Sequence, residues 1–384
     1  MILMGTLRPF LARIDQPILA DLKARLLKTR FPDEISNSNW NYGTNLTFLK
    51  SLAHYWINEF DWRAQEKKLN QFPQFLVTID GLDIHFIHVK GTGLNPLPLI
   101  LTHGWPSSIF ELLKVIPLLT NPEDPRDSFD VVVPSLPGFG FSSRPSAAGM
   151  SIFKIADIWN KLLTDELHYP KYGAQGGDWG AYATSYLGFK YAKSVYGIHL
   201  SFVPGGLAPY LGEGAMELSD SEIDLMNSRR NWDRFEGGYE HLQGTRPQTI
   251  AYALNDSPLG LAAWMSEKFR TWSDCGGDLE TRFSMDELLA HITLYWATET
   301  IGSSARLYYE TQNNPWKLEK NQKVEVPAAI AVFPRELSVP PREWAERIYN
   351  VQQWTPMPKG GHFAAHEEPV ALAADIRKFF RNLR

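Results

Sequence analysis

The chain has 384 residues, of which 44% are hydrophobic and 21% charged, and its formal net charge is -5. This balance is typical of a globular protein with a large buried core and excludes a disordered chain. The small net charge and the lack of a lysine- and arginine-rich block exclude nucleic acid as an expected partner. The single cysteine, Cys275, cannot form an internal disulfide, so we expect a cytoplasmic protein.

The N-terminal residues give no sign of a membrane anchor. The run from Met1 to Leu7 is mildly apolar, but Arg8 ends it well short of the roughly 20 residues that span a bilayer. We therefore expect no signal peptide and no association with a membrane.

The first 93 residues predict helices followed by a β-hairpin. In "DQPILADLKARLLKTRF", Asp15 can cap a helix and Pro17 falls in its first turn. The aromatic stretch "NWNYGTNLTFLKSLAHYWINEFDW" predicts a loop and then a helix that packs against another surface. In "QFLVTIDGLDIHFIHV", apolar residues alternate on both sides of Asp80-Gly81, which predicts two antiparallel strands joined by a tight turn.

Short apolar runs then alternate with helical patterns, which indicates a parallel sheet. The predicted strands are "LPLILT", "FDVVVP", "YGAQG" and "VYGIHL", with helices over 152–167 and 181–191. The alternation stops between 204 and 283, which predicts a helical cap inserted into the core. It resumes with a helix over 288–312, the strand "PAAIAVF", the helix "REWAERIY", the run "VQQWTPMP" and the helix "PVALAADIRKFF". We divide the chain into an N-terminal extension (1–93), a first core part (94–203), a cap (204–285) and a second core part (286–384).

The pentapeptide "GGDWG" places Asp178 between Gly176 and Gly180. On a sharp turn from strand to helix, glycines at these positions let the chain pack closely while the central side chain is held exposed. This is the pattern of the nucleophile elbow in α/β-hydrolases. Upstream, "LTHGWPSS" follows an apolar strand, at the position of the loop that supplies one oxyanion-hole N–H. The expected donors are the backbone N–H groups of Trp105 and Trp179.

A base and an acid are expected near the C-terminus, in the chain order nucleophile, acid, histidine. "KGGHFAAHEEP" presents His362 in a glycine-flanked loop, and His366 is the weaker alternative. "AIAVFPREL" places Glu336 after a predicted strand, and Glu343 is its alternative. The histidines and the single cysteine show no spacing typical of metal ligands, so we expect neither a metal nor a cofactor.

The choice of aspartate as nucleophile restricts the substrate. A carboxylate that attacks an electrophilic sp³ carbon forms an alkyl ester, so the substrate should carry an epoxide or a halide. An opening epoxide needs a proton, which tyrosine hydroxyls can donate. Tyr239 and Tyr308 are the candidates in and beside the cap, but most tyrosines are packing residues.

Together these segments resemble the microsomal epoxide hydrolase family, which includes the juvenile hormone epoxide hydrolases. The likeness extends over "LRPF", "RFPDE", "HGWP", "PSLPGFGFS", "GGDWG", "ALNDSPLGLAAWMSEKF", "LYWATETIGSS", "FPREL" and "GGHFAAHEEP". It implies an α/β-hydrolase fold whose N-terminal extension packs over the cap. It also implies a small lipophilic epoxide and water as substrates. Animal members are similar but carry a membrane anchor, which we do not expect here.

The resemblance also implies roles for individual residues. Asp178 matches the nucleophile, Glu336 the acid and His362 the base, while Tyr239 and Tyr308 match the cap tyrosines that bind and protonate the epoxide oxygen. Tyr309 leaves the second tyrosine ambiguous by one residue. Trp105 is expected at the substrate as well as in the oxyanion hole, and a homodimer is considered. The alternatives are a dehalogenase with the same ester chemistry and a non-catalytic ligand-binding protein.

Overall fold

A single central sheet contains all nine strands found in the computed structural model, which describes residues 6–384. The strands lie in the order β1-β2-β3-β5-β4-β6-β7-β8-β9. The pairs β1-β2, β2-β3 and β3-β5 are antiparallel. The pairs from β5-β4 to β8-β9 are parallel, as predicted. The strands are β1 Arg8–Phe10, β2 Gln74–Ile79, β3 Leu82–Val89, β4 Leu97–Thr102, β5 Phe129–Pro134, β6 Tyr172–Gly176, β7 Val195–Leu200, β8 Val324–Val332 and β9 Tyr349–Pro356.

Helices cover the sheet and form the cap. The α-helices of the described residues are α1 Gln16–Leu27, α2 Leu46–Asn58, α3 Trp62–Leu69, α4 Ile116–Thr120, α5 Ile152–Lys161, α6 Asp178–Lys190, α7 Asp220–Phe235, α8 Gly238–Thr245, α9 Pro247–Asp256, α10 Pro258–Trp272, α11 Met285–Ala297, α12 Ile301–Asn313, α13 Arg342–Ile348, α14 Ala364–Glu367 and α15 Pro369–Phe380. Helices α7 to α10 fall within the predicted cap. The four domain boundaries themselves stay predictions.

The hairpin and the helix starts follow from local sequence. Asp80 and Gly81 both have positive φ, 50° and 82°, as a two-residue turn between twisted strands requires, so the predicted hairpin is confirmed. The side chain of Asn45 accepts a hydrogen bond from the Phe48 N–H and caps α2. Strand β1 was not predicted, because three residues are too few to show a periodic pattern.

Two predicted helices differ from those observed. The single helix expected over 288–312 is wrong: α11 ends at Ala297 and α12 begins at Ile301, and Glu299 between them has a φ of 54°. A residue in the left-handed region ends an α-helix. The helix expected over 152–167 is α5 followed by a π-helical turn, Leu162–Glu166.

The N-terminal extension packs on the cap, as the resemblance implies. The Thr44 hydroxyl donates to the Ala263 carbonyl of α10 at 2.6 Å, and Arg25 donates to the Asp256 carbonyl at 2.9 Å. Within residues 6–384 we find no helix with the length and apolar composition needed to cross a bilayer. The predicted apolar run from Met1 to Leu7 lies mostly outside the described residues.

Candidate active site

Asp178 occupies a strained turn between β6 and α6. It is the first residue of α6, and its φ of 45° lies in the left-handed region that residues other than glycine rarely adopt. A Cβ at Gly176 would collide with the backbone of Gly180, and one at Gly180 would collide with the Thr102 carbonyl. The two glycines therefore permit the close packing that holds the Asp178 carboxylate at the C-terminal edge of the parallel strands.

Three side chains from distant parts of the chain form one hydrogen-bonded row. His362 Nε2 lies 3.2 Å from Asp178 Oδ2, and His362 Nδ1 lies 2.5 Å from Glu336 Oε1. The Leu337 N–H also donates to Glu336 Oε1, at 2.6 Å. The side chains of His362 and Glu336 are 1% and 4% exposed, whereas that of Asp178 is 20% exposed. The carboxylate expected to attack is thus the most accessible of the three.

The two carboxylates determine the charge of His362. Burial lowers the pKa of the imidazole, but the attraction and hydrogen bonds of Glu336 and Asp178 outweigh burial and raise this pKa well above its usual value. His362 is therefore protonated at neutral pH in the free enzyme. Because Glu336 accepts from Nδ1, the Nε2 atom faces the nucleophile.

A backbone N–H group holds one oxygen of the nucleophile. The Trp105 N–H donates to Asp178 Oδ1 at 2.8 Å. A Cβ at the preceding Gly104 would collide with the Asp178 carboxylate, so this close approach needs glycine. Trp179 is the second residue of α6, so its N–H belongs to the first turn, which has no partner within the helix. The arrangement leaves Oδ2 as the oxygen available for attack.

Two tyrosines from α8 and α12 cover the nucleophile. The Tyr239 ring stacks on Trp105 with centroids 5.3 Å apart, and the Tyr308 ring meets Trp179 edge-on at 4.7 Å. Burial raises the pKa of both phenols well above the usual value, so both hydroxyls are protonated at neutral pH. Tyr309 is 39% exposed, which places Tyr308 and not Tyr309 at the site.

A cavity of about 840 Å³ opens above Asp178, between the cap and the core. Besides Asp178, the acidic and basic residues in its lining are Asp224, Arg229, Asp233 and Glu240, and burial raises the pKa of Glu240 to about 7. The other walls are mostly apolar or aromatic. They include Trp179, Tyr182, Phe202, Leu225, Trp232, Tyr239, Tyr308, Leu337 and Val339.

The alternative residues lie elsewhere. His366 Nε2 lies 3.6 Å from Glu287 Oε2, and its ring stacks on Phe283. Glu343 accepts hydrogen bonds from Ser221 and Ser219 of the cap. Neither takes part in the row of Asp178, His362 and Glu336. Within residues 6–384, no group of three or more His, Cys, Asp or Glu side chains is placed to hold a metal ion.

Sequence reasoning missed two polar residues beside the nucleophile. Tyr182, one helical turn after Asp178, lines the large cavity. Glu111 lines a small cavity together with Asp178 and His362. The only sign of Glu111 in the sequence is a carboxyl group within the apolar run "SSIFELL" after "HGWP". A glutamate at such a position is also typical of the exposed face of a helix.

Comparison with known proteins identifies the family. Residues 7–112 match the family model described as epoxide hydrolase N terminus, and residues 98–203 match the alpha/beta hydrolase fold. A Stigmatella aurantiaca protein whose name places it among the epoxide hydrolases is 43% identical over 98% of this chain and 85% of its own. Epoxide hydrolase 1 of Oryctolagus cuniculus is 38% identical over 97% of this chain and 88% of its own.

A solved structure agrees over almost the whole chain. The juvenile hormone epoxide hydrolase of the silkworm Bombyx mori superposes with a TM-score of 0.88 at 30% identity, covering 99% of this chain and 95% of that one. The fold predicted from the sequence is thereby confirmed. The chain is an enzyme with the α/β-hydrolase fold and belongs to the epoxide hydrolase family.

Proposed function

We propose that this site adds water to a lipophilic epoxide through an alkyl ester on Asp178 and releases a vicinal diol. The observation that carries the proposal is the hydrogen-bonded row of Asp178, His362 and Glu336 beneath two tyrosine rings. The mostly aromatic and apolar walls of the large cavity support a lipophilic substrate. The cytoplasmic location and the homodimer stay predictions.

The first half-reaction uses Asp178 and the tyrosines. Asp178 Oδ2 attacks an epoxide carbon, the bond from that carbon to the ring oxygen breaks, and the ring oxygen takes a proton from Tyr239 or Tyr308. The buried hydroxyls favour an epoxide over a halide, since a departing halide needs no proton. A dehalogenase at this site is therefore the weaker alternative.

The second half-reaction uses His362 as base. In the ester, the negative charge of Asp178 is gone, so this residue no longer raises the pKa of His362 as a carboxylate does. The imidazole can then give up its proton, which restores the tyrosine that protonated the ring oxygen, and the neutral imidazole accepts a proton from water while Glu336 stabilises the imidazolium that forms. The water oxygen attacks Cγ of Asp178, and the Trp105 and Trp179 N–H groups stabilise the oxyanion at Oδ1.

Separating the two half-reactions tests this mechanism. With His362→Gln, a single addition of styrene oxide should give protein heavier by one substrate, with the added mass on the peptide that contains Asp178. Asp178→Ala should take up no mass. In ¹⁸O-labelled water, the unmodified protein should give mostly unlabelled diol in a single turnover, because the first oxygen delivered belongs to Asp178.

The same experiment distinguishes the alternatives. Full incorporation of label into the first diol would mean that water attacks the epoxide directly, and the nucleophilic role of Asp178 would be wrong. Release of chloride from a chloroalkane, without turnover of any of several styrene-like, terpene-like and fatty epoxides, would favour the dehalogenase.

A further inference from the structure

A second, much smaller cavity borders the nucleophile on the core side. Its volume is about 10 Å³, which is the space that one water molecule needs. It is lined by the ends of β4 and β6, by the loop that carries His362 and by the turn after "HGWP". Several of the lining residues have polar side chains. They include Ser107, Glu111, Gln175, Asp178, Ser201 and His362.

Glu111 is the one carboxyl group in this lining that the mechanism above does not use. It lies in a 3₁₀ turn, Ile109–Leu112, whose N-terminus is capped by the Ser108 hydroxyl. Burial raises the pKa of Glu111 to about 7, although Ser107 and His362 act in the opposite direction, while Asp178 and Glu367 raise this pKa further. A carboxyl group kept here at an electrostatic cost, beside the catalytic histidine, indicates a role that an apolar side chain could not fill.

We propose that Glu111 binds the hydrolytic water in this small cavity and so places it against Cγ of Asp178. The proposal rests on the ester mechanism proposed above. It adds to that mechanism a residue that binds water and a site for water that is separate from the epoxide cavity.

The geometry of the ester explains why a separate location is needed. Once Oδ2 carries the alkyl group, the product fills the large cavity, and Oδ1 is held by the Trp105 N–H. Water must then reach Cγ from a direction that neither oxygen occupies. The small cavity borders both Asp178 and His362, so a water there is next to its electrophile and its base.

The chemical step balances without any further reactant. The water oxygen bonds to Cγ, one of its protons goes to His362 Nε2, and its other O–H donates a hydrogen bond to Glu111. The bond between Cγ and the alkyl oxygen then breaks, and that oxygen takes the proton from His362. The proton left on the new Asp178 oxygen then passes to the neutral His362, so the products are the diol, an Asp178 carboxylate that carries one oxygen from water, and a protonated His362.

Stopped-flow measurement of tryptophan fluorescence with styrene oxide would follow the two steps separately, since Trp105 and Trp179 adjoin the nucleophile. Glu111→Met should alkylate at the unmodified rate but hydrolyse the ester about 100-fold more slowly, the cost of a misplaced reactant. Glu111→Gln keeps a hydrogen-bond acceptor and should recover part of the hydrolysis rate. Glu66→Gln is the control, because this buried carboxylate accepts from the Ile14 N–H and Trp62 on α3, and both of its rates should be unchanged.

Three results would overturn the inference. They are an equal loss in both steps, no loss in hydrolysis, and a Gln variant as slow as the Met variant. A crystal structure adds a test that needs no variant: it should show an ordered water between Glu111 and Cγ of Asp178, and an apolar or empty space there would contradict us. If His362→Gln forms no ester at all, the proposed mechanism itself fails. If the ester forms and Glu111→Met hydrolyses it normally, only the role of Glu111 fails.

Discussion

His362 lies between two carboxylates, and only one of them remains a carboxylate after the ester forms. Glu336 takes no part in the ester, whereas Asp178 loses its negative charge when the ester forms. Because both partners raise the pKa of the imidazole, formation of the ester lowers it. His362 is therefore a protonated hydrogen-bond donor to Asp178 before the ester forms, and it becomes available as a base for ester hydrolysis. The charge of Asp178 and the pKa of His362 are thus coupled. This coupling is a second advantage of a carboxylate nucleophile, in addition to its reactivity toward an sp³ carbon.

We predict that Asp178→Ala lowers the pKa of His362. The sign follows from the removal of an anion: the protonated form loses a stabilising partner, so a lower pH is needed to keep it protonated. ¹⁵N NMR of labelled imidazole would measure the change against the unmodified protein, with Glu66→Gln as a control that keeps both partners. An equal or higher pKa would contradict the coupling. In the unmodified protein, ester hydrolysis should correspondingly speed up as the pH rises through the pKa of His362 in the ester.

At the residue scale, the sequence predicted Asp178, His362 and Glu336 because each follows a strand within a recognisable loop, and the structure brings these three side chains together. It could not decide between Tyr308 and Tyr309. Neighbouring residues of a helix point about 100° apart, so the choice depends on how α12 packs, and the structure places Tyr308 inside. The sequence did not indicate a role for Glu111. It shares the small cavity with Asp178 and His362, and both lie more than 60 positions away along the chain.

At the element scale, the turn between β6 and α6 depends on the absence of a side chain at Gly180. A Cβ there would collide with the backbone carbonyl of Thr102, which belongs to β4 and cannot rotate away. The backbone must shift to accommodate any larger residue, and this shift would also move Asp178.

We predict that Gly180→Ala destabilises the protein by about 1–3 kcal/mol, as overpacking of a close contact does. It should also slow alkylation, because the nucleophile is displaced. Gly238→Ala is the matched control: it begins α8, and a Cβ there has no neighbour within 4 Å. Urea unfolding monitored by circular dichroism would measure both variants. Equal stability of the Gly180 variant and the unmodified protein would show that the strand and helix have room to separate.

The element predictions succeeded where local chemistry decides and failed where packing decides. Asp80-Gly81 determines its turn directly through positive φ at both residues. The break between α11 and α12 was not predicted, because Glu299 adopts its φ of 54° without a glycine or proline to signal it. Strand β1 forms only because β2 offers a free edge, which a pattern read along the chain does not reveal.

At the scale of the whole molecule, the substrate cavity exists only while the cap stays docked on the core. Helix α7 contributes several cavity residues, and an ion pair attaches it to α13. Arg347 Nε lies 2.7 Å from Glu222 Oε1, and the two side chains are only 13% and 0% exposed. The same guanidinium donates to the carbonyls of Met216 and Glu217. One arginine thus holds both α7 and the segment that leads into it.

We predict that Arg347→Met loosens the cap before it affects the sheet. Removing one partner of a buried pair leaves Glu222 without its cation, which costs about 3–5 kcal/mol. The amides of α7 should exchange with deuterium faster, those of β4 and β6 should not, and the KM for epoxide should rise more than kcat falls. Arg342→Met is the matched control on the same helix. Its pair with Glu346 is about half exposed on both sides, so its removal should change stability by no more than about 1 kcal/mol. If both variants exchange alike throughout α7, Arg347 does not hold the cap, and the contacts of α8 with α12 become the better candidate for that role.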